Sequence, residues 1–113
     1  MSRTTSTYLC SELVRVSYQD NFGATHETWG NLEEISSDTA TILFDGWARR
    51  GSRISLIAQG HPLQGVVQSL TWDAVLGSFA VIRLDESCRW SEERFAPQHM
   101  LFVPGPELRA RAA

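Results

Sequence analysis

Apolar and polar positions alternate along much of the chain. In Leu13-Val14-Arg15-Val16-Ser17-Tyr18, Val14, Val16 and Tyr18 share one face of an extended segment. Leu13, Arg15 and Ser17 share the other. A spacing of two marks a half-buried strand. Gln19-Asp20-Asn21-Phe22-Gly23 follows with hairpin-turn chemistry. A second strand is expected over 25–35, with Gly30 inside it as a bulge or bend. A third covers 40–44, which is rich in strand formers. A fourth covers 53–58, with Ile54, Leu56 and Ala58 on one face. Residues 63–72 and 78–84 complete six strands separated by short turns.

Six short strands without intervening helices predict an all-β fold: a small six-stranded antiparallel barrel. Closure into a barrel also hides the edges that an open sheet would expose. The expected core is Val14, Val16, Ile42, Phe44, Ile54, Leu56, Val66, Phe79, Val81 and Leu84. Ser91-Glu92-Glu93 reads as a helix start, a serine cap followed by acids in the first turn. Trp90, Phe95, Met100 and Leu101 are the apolar side chains that such a short C-terminal helical segment would lay on the barrel. The expected organisation is a flexible segment over 1–12, the barrel over 13–88, a helical cap over 89–104 and a frayed tail over 105–113.

Composition narrows the function classes. The 113 residues are 42% hydrophobic and 20% charged, which suits one folded domain and excludes a disordered chain. No apolar run reaches the ~18 residues of a membrane span. The first seven residues open no apolar leader, so the expected location is the cytoplasm, away from membranes. Thirteen acids against ten bases leave a net charge of −3, so no global basic footprint for DNA or RNA exists. All ten bases are arginine.

Cys10 and Cys88 match no zinc spacing, and His26, His61 and His99 have no ligand set beside them. No metal or other cofactor is expected. Ser36-Ser37-Asp38 lies far from any histidine partner, and no Gly-x-Ser-x-Gly elbow exists. Glu33 and Glu34, as neighbours on a strand, point to opposite faces. The chain is therefore expected not to be an enzyme.

Four segments carry a resemblance. Glu34-Ile35-Ser36-Ser37-Asp38-Thr39, re-entering as Thr41-Ile42-Leu43, is similar to the central signature of PilZ domains. Arg50-Gly51-Ser52-Arg53-Ile54-Ser55-Leu56 resembles that family's glycine turn into its fourth strand. Gly65-Val66-Val67-Gln68-Ser69-Leu70 resembles the fifth strand, and the segment from Gly77 to Leu84 the sixth. The resemblance implies a six-stranded bacterial barrel and, by ancestry, a binder of the second messenger cyclic di-GMP.

Carried over residue by residue, the resemblance implies a ligand site of Arg3, Glu34, Ser36 and Thr39, with Arg15 as a further arginine. Its motifs are degenerate. The family's Asp/Asn-x-Ser-x-x-Gly keeps only Ser36 outright. Of the Arg-x-x-x-Arg pair, Arg3 stands without its partner, because position 7 is threonine. One lost guanidinium–phosphate fork removes about 1.5–3 kcal/mol, or roughly one to two decades of affinity. Weak or lost nucleotide binding is expected. The alternative is an adaptor barrel that binds a protein partner and no nucleotide. Its surface would use Trp47, Arg49, Arg50 and Trp90, where arginine and tryptophan are interleaved.

Overall fold

The computed structural model describes residues 6–103. Seven strands are present among them: β1 (Thr7–Gln19), β2 (Thr25–Ile35), β3 (Thr39–Phe44), β4 (Arg53–Ala58), β5 (His61–Asp73), β6 (Gly77–Leu84) and β7 (Leu101–Val103). Their order is β2-β3-β6-β5-β4-β1-β7, all antiparallel, and β1 also pairs with β2. That last pairing closes the first six into a barrel. β3 is followed in the sheet by β6, so residues 45–52 must cross one end of the barrel to start β4. Ala48, fully buried, plugs that end.

The inward positions are the alternate residues of each strand. They include Val14, Val16 and Tyr18 on β1, Leu32 and Ile35 on β2, and Ile42 and Phe44 on β3. Ile54 and Leu56 on β4 and Leu63 and Val67 on β5 complete most of the core with Ala80, Ile82 and Leu84 on β6. Seven of the ten expected core residues are buried; Val66, Phe79 and Val81 are only half-buried, on the outer face. β6 is apolar on both faces, so alternation does not reveal its inward side. Ser78 settles it by donating inward to the Gly46 carbonyl.

Two expectations about the ends change. β1 begins at Thr7, so residues 7–12 are strand and not a flexible segment. Tyr8, Cys10 and Glu12 continue the two-residue spacing of Val14, Val16 and Tyr18, and β2 and β7 pair with this stretch. Residues 89–100 contain no helix. The one helical piece among the described residues is a 3-10 turn over Glu86–Cys88. After Ser91 a single turn closes, with Arg94 N–H bonded to the Ser91 carbonyl. The Trp90 indole N–H then donates to the Phe95 carbonyl at 3.0 Å. Ala96 precedes Pro97, a pairing that disfavours helix, and the chain turns back to add β7 to β1. The tail over 105–113 lies outside the described residues.

Glu12 ties this returning segment to the barrel. Its buried carboxylate accepts the Gln98 backbone N–H at 2.7 Å and the Gln59 amide at 3.0 Å. Gln59 also donates to the Ala96 carbonyl at 2.9 Å. Glu12→Ala removes the buried carboxylate that accepts both of these charge-assisted hydrogen bonds and is expected to destabilise by about 1.5–3 kcal/mol. A lowered urea midpoint with an unchanged slope is the expected signature; an unchanged midpoint would show that water replaces the carboxylate.

Candidate functional site

The turn between β2 and β3 holds the residues of the resemblance. Ser36 is 2% exposed. Its hydroxyl donates to Asp38 Oδ1 at 3.1 Å and accepts the Thr39 N–H at 3.1 Å. The Thr39 hydroxyl lies 2.7 Å away and completes the set. A serine hydroxyl has one proton and two lone pairs, so Ser36 is saturated by its own turn. Thr39 does not have a positive φ; among the described non-glycine residues only Gln59 and His99 do. The turn therefore closes without the glycine that the family pattern calls for.

The returning segment covers this end of the barrel. Trp90 backbone N–H bonds the Ser37 carbonyl at 3.0 Å, and Leu84 N–H bonds that of Asp38. The Trp90 ring is 4% exposed, packed edge-on against Tyr8 and Phe95, and the Tyr8 hydroxyl donates to Glu92. Trp90 thus seals the fold and is not available as the partner surface expected of it.

Glu34, Ser36 and Thr39 come together at the β2–β3 turn, and Arg15 lies apart from them. Arg15 lies opposite Trp29, five residues along β2 from Glu34, or about 16 Å of strand. Its guanidinium bonds Glu27 at 2.6 Å and stacks over the Trp29 ring at 5.1 Å. Glu34 is half-buried beside Glu33. Burial, reinforced by the negative charges of Glu12, Glu33 and Glu34, pushes the Cys10 thiol up to about 12. That field repels phosphates. Thr7, where the second arginine of the pair would stand, is fixed in β1 opposite Val103. Arg3 lies outside the described residues.

The remaining expected residues sit at the opposite end. Trp47, Arg49 and Arg50 are exposed on the crossing loop. Arg50 lines a shallow hollow of about 220 Å³ with Gly51, Val66, Val67, Gln68 and Arg83. The β1–β2 and β5–β6 hairpins reach the same end: Tyr18 of β1 packs on Phe44, the last residue of β3, and Ser78 of β6 bonds the Gly46 carbonyl at the start of the crossing loop.

Each tip is locked by an aspartate and ends in apolar side chains. Asp20 accepts the N–H groups of Phe22 and Ala24, and also bonds His26. Asp73 accepts those of Val75 and Leu76. The His26 bond first, and then these N–H groups, hold Asp20 below the usual carboxyl range; the Leu76 and Val75 N–H groups do the same for Asp73. Phe22 is 96% exposed, and Trp72, Val75 and Leu76 are also exposed. The signal for this surface is in the sequence: apolar residues inside turns, where polar ones are the rule.

Searched against family models, curated proteins and solved structures, the chain finds no match. Among the described residues no group of three or more His, Cys, Asp or Glu could hold a metal, and no helix is long and apolar enough to cross a membrane.

Proposed function

We propose that the chain is a PilZ-like regulatory barrel of a bacterial signalling context that acts by binding a protein partner and has lost cyclic di-GMP. The saturated, buried Ser36 turn carries this reading. A ligand can recruit Ser36 only by breaking bonds that hold the β2–β3 hairpin. The acidic surroundings of Cys10 and the pairing of Thr7 with Val103 support the same conclusion. The partner surface is the end bearing Phe22, Trp47, Trp72, Val75 and Leu76. Exposed apolar side chains on pre-organised turns lower the ordering cost of association.

Calorimetry with cyclic di-GMP tests the nucleotide half. No heat is expected at low micromolar ligand. Submicromolar binding, competed by excess unlabelled ligand, would overturn the reading and move the phosphates to other arginines such as Arg50 and Arg83. The protein half is tested with Trp47→Ala/Trp72→Ala, whose exposed positions leave the melt unchanged. A partner retained equally by this variant and by the unaltered chain would put the interface elsewhere.

A further inference from the structure

The outer face of β4, β1 and β2 carries a second unpartnered surface, distinct from the loop end. Ile57, Arg15 and Trp29 form one row across the three strands, and Ser55, Ser17 and Glu27 form the next. Leu13 stands beside them on β1. Leu13, Trp29 and Ile57 are 63%, 55% and 49% exposed. Beside Trp29 lies a hollow of about 210 Å³ lined by Arg15, Val16, Ser17, Glu27, Ser55 and Ile57. Outward serines at 17 and 55 make the depression, since larger side chains there would fill it.

We propose that this face binds a second copy of this chain across a two-fold axis. A two-fold interface uses the same patch twice, so the patch must complement itself. This one does so in shape and in charge. The Trp29 ring projects next to a hollow comparable in size to one large side chain. Arg15 and Glu27, one of each sign and ion-paired with each other at 2.6 Å within the chain, border that hollow and are both about half exposed, with Arg15 lying over the Trp29 ring. In the dimer Trp29 of each copy, carrying its Arg15, enters the hollow of the other, and the two Arg15–Glu27 pairs meet as a cluster in which each arginine also faces the glutamate of its mate. A strongly acidic or basic partner would leave one of these two charges opposed by its own sign. The face is three strands wide, roughly 14 by 20 Å over seven residues. That is roughly 560 Å² in total for the two copies, below the about 1,000 Å² of a stable interface, so the dimer is weak and transient and fills only towards near-millimolar protein.

Sedimentation velocity on the full chain, from low micromolar to near-millimolar protein, is the test. The unaltered chain is expected to shift from monomer to dimer across that range. Trp29→Ala weakens the dimer by about tenfold or more. Arg15→Glu leaves four carboxylates in a homodimer and Glu27→Arg leaves four guanidinium groups, so each alone stays monomeric; each also breaks the exposed intrachain Arg15–Glu27 pair, which lowers the melt slightly but leaves the monomer folded. Mixed in equal amounts, the two variants set the carboxylate pair of one copy against the guanidinium pair of the other, and the dimer returns. A chain that remains monomeric throughout would overturn the proposal. So would Arg15→Glu and Glu27→Arg copies that dimerise as well alone as mixed.

Discussion

Trp90→Ala is expected to lower the stability of the barrel by about 3–5 kcal/mol, the range for truncating a buried large aromatic. In a domain of this size that corresponds to a melting temperature lower by more than about 10 °C. The loss has three sources at one residue. The indole is buried, its N–H is bonded to the Phe95 carbonyl, and its ring meets Tyr8 and Phe95 edge-on. Removing it opens the barrel end closed by residues 89–98 and leaves the Phe95 carbonyl without its donor. Trp72→Ala is the control: its ring is exposed at a hairpin tip, and a surface change of this kind moves stability by about 0.5 kcal/mol or less. Differential scanning calorimetry of the two variants separates a sealing tryptophan from a surface one. A Trp90→Ala melt within about 3 °C of the unaltered chain would mean that Tyr8 and Phe95 close the barrel by themselves.

Where one face of a strand is apolar and the other polar, the fold is legible from the sequence. β2 and β4 have the bounds that the pattern predicts, 25–35 and 53–58. β6 is harder, because Ser78-Phe79-Ala80-Val81-Ile82 is apolar on both faces and its one polar residue, Ser78, is on the inner one. Its buried serine is explained only by Gly46, a residue 32 positions away. Such a partner is invisible to a local pattern.

The C-terminal segment departs from its local pattern for the same reason. Ser91-Glu92-Glu93 is sound helix-start chemistry, but Trp90 and Phe95 bond to each other, and Gln98 is held by Glu12 on β1. Tertiary hydrogen bonds outcompete local propensity.

The candidate site is legible only in part. The degeneracy of the Ser36 motif can be read directly, since Thr39 and Thr7 stand where glycine and arginine are called for. That Ser36 is closed off cannot, because its saturation depends on how the turn folds. Trp47 and Trp90 look alike in sequence, each near arginine and each followed by a loop. Trp47 is exposed next to Ala48, which plugs its end of the barrel; Trp90 is buried and closes the opposite end.

Gly65→Ala is expected to destabilise the protein by about 3 kcal/mol or more, at or beyond the upper end of overpacking effects. Gly65 points into the barrel from β5, with Leu84 of β6 on one side and Ile54 of β4 on the other. A Cβ there would lie 2.1 Å from the Arg83 carbonyl oxygen and 2.8 Å from its carbon. The obstacle is backbone, and it cannot swing aside. Arg83 is paired with Val66 in β5 and with Thr39 in β3, so moving it disturbs two ladders. The glycine is therefore required by space, where Gly23, Gly51 and Gly60 are required by a positive φ and have nothing near them. Gly30 is a graded comparison, with Val16 Cγ2 at 2.9 Å and the Leu43 carbonyl oxygen at 3.0 Å. Gly30→Ala should be the milder change, because a side-chain methyl can yield. Thermal melts followed by circular dichroism are expected to rank Gly65→Ala lowest, with a fall of more than about 12 °C, and Gly30→Ala between it and the unaltered chain. A Gly65→Ala protein that melts like the unaltered chain would show that β5 and β6 do not approach this closely, and the barrel's closure at that point would need to be redrawn.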